Sequence, residues 1–88
     1  MIKKEFEVLS SIGLHARPAA LFVQTANKFQ CDITVIKEQS EINGKSIMGI
    51  MAIAASKGDK ITVIADGKDE KEAIEAIEEL LTKRFPQM

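Results

Sequence analysis

Gly13-Leu14-His15-Ala16-Arg17-Pro18-Ala19-Ala20 is the stretch in which the chain changes its period. Before it, Ile2, Lys4, Phe6 and Val8 alternate with Lys3, Glu5 and Glu7, the pattern of a strand with one wet face. After it, Ala19, Phe22, Val23 and Ala26 recur at helical spacing and predict a helix between Ala16 and Phe29. Ser10-Ser11-Ile12-Gly13 belongs to neither pattern and reads as a loop. Pro18 suits the first helical turn, where its missing N–H leaves nothing unpaired. A residue before proline resists the helical conformation, so the helix start is defined to about two residues.

The same junction gathers groups that can handle an anion. His15 is the only histidine in the chain. A neutral imidazole has a nitrogen lone pair able to attack phosphorus, and Arg17 can neutralise phosphoryl oxygens. The helix start adds unpaired N–H donors and a positive dipole end. Arg17 is also a local conflict, because a cation in the first turn faces that positive end; such conflicts mark functional sites. A phosphoryl group beside it would reverse the sign of the interaction. The bland alternative is surface decoration. Gly13 before, and Pro18-Ala19-Ala20 after, weigh against it, since each has a defined place in the junction. The residues by themselves reach an anion-contacting histidine that could carry phosphate.

Outward from this point, Ile33, Val35 and Ile36 predict a second strand and Ser40 to Asn43 a short third one, closed by the Asn43-Gly44 turn. Ser46 to Ala55 is apolar and reads as holding a short helix capped by Ser46. Lys60 to Asp66 is a strand rich in β-branched residues. The last helix has Asp69 as its expected cap, with Glu72 completing a capping-box-like arrangement. Its inward stripe is Ala73, Ile74, Ile77, Leu80 and Leu81, and Glu79 and Lys83 are spaced for an i,i+4 pair. Phe85 to Met88 reads as a tail. The order β-α-β-β-α-β-α, with one apolar sheet face and amphipathic helices, predicts an α+β fold: an antiparallel sheet with helices on one side.

Composition narrows the function classes. The 88 residues predict one domain spanning 1–88, with no room for a second core. Twelve basic and thirteen acidic residues, net charge −1, give no electrostatic basis for nonspecific nucleic-acid binding, and no tryptophan or tyrosine is present to stack on bases. The apolar run Ile47 to Ala55 is too short to cross a bilayer. Cys31 is alone, so it reads as a half-buried space filler in a reducing cytoplasm, and no metal-ligand spacing is found.

Lys45-Ser46-Ile47-Met48-Gly49-Ile50-Met51 is the second unusual stretch. Ile47, Met48 and Met51 cannot all point inward from a short helix, and methionine suits adaptable contact surfaces. Met48 therefore reads as a partner contact, whereas Ile50 and Ile53 read as core. Gly49 lowers helix propensity and permits close approach.

Together, Gly13–Ala20 and Lys45–Gly49 resemble the HPr family of histidine-containing phosphocarriers of the bacterial sugar phosphotransferase system, over essentially the whole chain. The resemblance implies an open-faced β-sandwich of four antiparallel strands with three helices on one face. It implies a cytoplasmic, monomeric carrier with no cofactor or metal and no turnover of its own. His15 would accept phosphoryl through Nδ1 from phosphorylated enzyme I and pass it to enzyme IIA domains, with Arg17 assisting. Ser46 would be a regulatory phosphorylation site. Ser46 and Ala16 are similar to the Gram-positive branch, which implies an HPr kinase/phosphorylase and a LacI-type catabolite regulator as further partners. Partner contacts would fall on Ala16, Ala20, Gln24, Ile47, Met48, Gly49 and Met51.

Two departures stand out. Ile12 replaces a small polar residue frequent in the family, and Gly44 is expected to loosen the approach to Ser46. Retention of His15 argues against the catabolite-repression paralogue, in which it is replaced. A regulatory binding module acting through Ser46, a nitrogen-branch carrier, and a small hydrolase or mutase remain as rival readings. The last would need a general acid and a pocket, and neither accompanies His15.

Overall fold

A computed structural model describes residues 1–87; Met88, the end of the expected tail, lies outside the described residues. The elements are β1 (Ile2–Glu7), α1 (Ala16–Ala26), β2 (Asp32–Lys37), β3 (Ser40–Asn43), α2 (Ile47–Ala52), β4 (Lys60–Asp66) and α3 (Glu70–Glu79). A π-helical turn, Leu80–Arg84, and a 3₁₀ turn, Phe85–Gln87, follow. The four strands form one antiparallel sheet in the order β1-β4-β2-β3. Three helices cover one face, as the sequence pattern predicts, giving the open-faced sandwich that the family resemblance implies.

Alternation decides which face is covered. Ile61, Val63 and Ala65 of β4 are buried, as are Ile33 and Val35 of β2, while Thr62, Ile64, Thr34 and Ile36 stay half-buried on the open side. Against the covered face lie Ala19, Phe22 and Ala26 of α1, Ile50 of α2, and Ala73, Ile74 and Ile77 of α3. Helical spacing puts each set on one stripe.

Three local expectations are corrected. Asp69 makes no side-chain cap on α3. Its carboxylate instead accepts from the backbone N–H groups of Gln30, at 2.8 Å, and Cys31, at 2.9 Å. It thereby fastens the α1–β2 connection, and Glu70 meets the Gly67 N–H at 3.1 Å in its place. Phe85 is not in a loose tail: its ring is fully buried, packed into the core with Leu80 and Leu81. The wide π turn lets Leu80, Leu81 and Phe85 all face inward. Gly44 is a tight point. Its N–H donates to Ile33 O at 2.7 Å, and a Cβ there would lie 2.5 Å from Ile33 Cγ2.

Helix α1 stops at Ala26, short of Phe29. Asn27 ends it, and its Nδ2 donates to Val23 O at 2.9 Å and Lys45 O at 3.3 Å, tying the helix end to the approach to α2. Cys31 is a space filler, but fully within the core rather than half-buried, and burial pushes its thiol up to about 11.

Candidate functional site: the start of helix α1

The loop before α1 is built inward from two anchors. Ser10 is fully buried, and its hydroxyl donates to Gly13 O at 2.5 Å while Gly13 N–H returns to Ser10 O at 3.1 Å. Gly13 has φ +70°, and a Cβ on it would lie 2.4 Å from Ala55 O. Only glycine passes there. Leu14, wholly buried, donates its N–H to that same Ala55 carbonyl at 2.9 Å. With Leu14 pinned, His15 is carried to the surface.

His15 is exposed and occupies the N-cap position of α1 with extended backbone, φ −123° and ψ 158°. Its imidazole makes no cap hydrogen bond, and no acidic side chain stands in the first turn. An uncapped, uncompensated N-terminus leaves its N–H donors and positive dipole end available to an outside anion. Arg17 is exposed two residues on and forms no ion pair with any described residue. Pro18 is buried in the first turn, where it has no N–H to satisfy. An exposed imidazole, an exposed guanidinium without an ion pair and an open helix end thus fall within three consecutive residues. They can receive a doubly charged group and hold its oxygens.

Ala16 adds an observation that the sequence did not signal. Its φ is +49°, in the left-handed region that disfavours residues with a Cβ. Strained backbone of this kind collects at functional sites, and here it lies next to the ring in question.

The second stretch lies at the start of α2, a helix packed beside α1. Ser46 caps α2, its Oγ accepting from Gly49 N–H at 3.1 Å. Ile50 and Ile53 are core, whereas Met48 is 80% exposed, with Ile12 at 50%, Met51 at 44% and Ile47 at 41%. Apolar side chains of this size left in water are available to a partner's surface. Ala20 is half-buried on α1 and Gln24 exposed one turn further along. A Cβ on Gly49 would sit 3.3 Å from Asn43 O, so this glycine also permits a close approach of α2 to the sheet.

Reading the sequence missed Ser10 and Ala55, which hold the loop. A loop serine carries no periodic signal, and Ala55 contributes only a backbone oxygen. Among the described residues no group of three His, Cys, Asp or Glu side chains is placed to hold a metal ion. No helix of the described chain is long and apolar enough to cross a membrane.

Comparison with known proteins places this architecture. The family described as "PTS HPr component phosphorylation site" matches residues 2–83. The HPr-like protein Crh of Halalkalibacterium halodurans is 51% identical over 77 residues, covering 88% of this chain and 92% of its own length. Phosphocarrier protein HPr of Neisseria meningitidis is 45% identical over 85 residues, 97% of this chain and 96% of its own. Among solved structures, HPr of Thermoanaerobacter tengcongensis superposes with TM-score 0.94 at 48% identity, covering 97% of this chain and 96% of that one. A dimer of HPr from the same organism matches with TM-score 0.78 at 50% identity, covering 91% and 92%. The matches span nearly the whole chain at the same fold, and the chain belongs to the HPr family of phosphocarrier proteins, which carry phosphoryl groups rather than turn over a substrate.

Proposed function

We propose that this chain, acting as one domain over residues 1–88 in the cytoplasm, is the general phosphocarrier of a sugar phosphotransferase system. The observation that carries the reading is the exposed, uncapped His15 at the start of α1, with unpaired Arg17 beside it. A lone pair on His15 Nδ1 attacks the phosphorus held by phosphorylated enzyme I. The new N–P bond forms as the donor's bond to phosphorus breaks, and the group later leaves His15 for an enzyme IIA domain in the same way. Arg17 and the helix N–H groups hold the phosphoryl oxygens through both transfers. Positioning and charge stabilisation supply most of the catalysis in such reactions. The rest of each active site comes from the partner, docked over Ala16, Ala20, Gln24, Ile47, Met48, Gly49 and Met51.

Ser46 is proposed as a regulatory phosphorylation site, served by an HPr kinase/phosphorylase and read by a LacI-type catabolite regulator. A phosphate there adds about −1.5 to −2 charge beside exposed Ile47 and Met48. That charge repels and desolvates poorly against enzyme I while favouring a basic partner. The similarity to Crh, the catabolite repression HPr of Bacillus subtilis, supports this regulatory link. Ser46→Asp is therefore expected to accept phosphoryl from enzyme I more slowly than wild type; an equal rate contradicts the regulatory part of the proposal.

Incubation with phosphoenolpyruvate and enzyme I tests the main reading. The expected product carries an acid-labile, base-stable phosphate that His15→Ala abolishes and Ser46→Ala retains. A pure regulatory module would take no phosphate under these conditions, and a hydrolase would release it without any acceptor domain. The acting form in this proposal is the monomer, and because a related HPr is solved as a dimer, sedimentation at working concentration decides it.

A further inference from the structure

Lys37, the last residue of β2, has only 19% of its side chain exposed. Its ammonium lies 3.4 Å from Ile53 O, 3.3 Å from Ala54 O and 3.2 Å from Asp59 Oδ2. Those two carbonyls end helix α2, where backbone oxygens lack intrahelical partners and a cation is favoured. Ala54 has φ +51°, the left-handed conformation that usually follows a helix C-terminus as glycine. An alanine holds that turn only against its own preference, and Lys37 grips the turn's oxygen.

The next carbonyl along the chain reaches Leu14, the residue before His15. Ala55 O accepts from Leu14 N–H at 2.9 Å and lies against Gly13. Asp59 closes the arrangement from below: its carboxylate accepts from Ser56 N–H at 2.8 Å, and its carbonyl accepts from Val8 N–H at 2.8 Å. A continuous run of contacts therefore joins Lys37 through Ala54 and Ala55 to Leu14, and Leu14 is bonded to His15.

We propose that Lys37 is a positioning residue for phosphoryl transfer at His15: it fixes the left-handed turn at Ala54, and with it the carbonyl on which the His15 loop hangs. The inference rests on the reading of His15 as the phosphoryl acceptor. Lys37 touches no phosphoryl oxygen. Its effect comes through the placement of the ring, and in-line transfer is sensitive to small misplacements.

The test compares wild type, Lys37→Met, Ala54→Gly and the double variant, phosphorylated by phosphoenolpyruvate and enzyme I. Lys37→Met is expected to lower kcat about 5-fold with KM unchanged, since the docking residues are untouched. Exchange of the Leu14 amide proton should quicken about 10-fold in the same variant. Adding Ala54→Gly should bring kcat back to within about 2-fold of wild type, because glycine keeps the left-handed turn without a clamp. Unchanged kcat in Lys37→Met, a loss confined to KM, or a loss that Ala54→Gly does not restore would each overturn the positioning role. A wild-type protein that takes up no phosphate instead overturns the functional reading itself, and the two failures are thereby told apart.

Discussion

Gly13 and Gly58 both have left-handed backbone, with φ +70° and +92°, yet they face different surroundings. A Cβ on Gly13 would lie 2.4 Å from Ala55 O and 3.0 Å from Ser56 Cα, both backbone atoms that cannot swing away. A Cβ on Gly58 would meet nothing within 4 Å. Gly58→Ala should therefore cost only the backbone strain, about 1 kcal/mol, whereas Gly13→Ala adds a clash and should cost roughly 2–4 kcal/mol. Urea unfolding of the two variants measures the difference, and equal losses would show that the loop yields freely to the added methyl. The turn at Gly13 was legible in the sequence. The strain one turn later was not, because alanine at 16 announces no left-handed preference. A positive φ there is imposed by the fixed neighbours, Leu14 bonded to Ala55 and Pro18 buried in the helix.

Helix α3 shows at the element scale how local and distant pairing compete. Asp69 precedes the helix where a cap is expected, and Glu72 stands where the reciprocal bond would form. The side chain turns instead to two N–H groups of the α1–β2 connection, 38 and 39 residues away in sequence. Hydrogen bonds from Gln30 N–H, and also from Cys31 N–H, hold its carboxyl below its ordinary value of 3.8. A depressed carboxyl contributes stability that is full above the unfolded value and is lost as pH falls through the folded one. Wild type should thus lose stability from about pH 4 downward, and Asp69→Asn should lose less over that range while starting lower at pH 7. Urea midpoints at pH 7 and pH 3 check this; parallel declines in both proteins would show that other carboxylates dominate. Asp59 is depressed in the same direction, chiefly by Ser56 N–H and then by Lys37, so part of the acid loss remains in the variant. Periodicity revealed α3 itself, because its buried stripe is local. It could not reveal which distant amides would claim Asp69, or that Phe85 would close the core beyond the π turn.

At the scale of the molecule, the division between covered and open sheet faces sends most apolar residues of the strands inward and leaves Ile36 and Ile64 half-buried on the open side, and what remains outside at the α1–α2 end is chemically unusual. Ile12, Ile47, Met48 and Met51 are all exposed, on a protein whose other large apolar side chains are mostly buried or half-buried. Helical spacing in the sequence already separated Met48 from Ile50 and Ile53. It gave no measure of how far Met48 stands out, since that depends on α2 lying against β3 through Gly49. At 80% exposure, Met48 contributes little to the folded state, so Met48→Glu should alter unfolding free energy by no more than about 0.5 kcal/mol. Its effect on docking should be far larger. An unpaired carboxylate pressed into an interface must shed water without a partner, and an apolar contact is lost as well. On the proposed reading, KM for phosphorylated enzyme I rises about 10-fold, a docking loss of roughly 1.4 kcal/mol, while kcat stays near wild type because His15 and its loop are unaltered. Steady-state phosphorylation at varied carrier concentration separates the two constants. A variant with unchanged KM would remove Met48 from the docking surface, and a fall in kcat alone would mean that α2 orients the phosphohistidine rather than receives the partner.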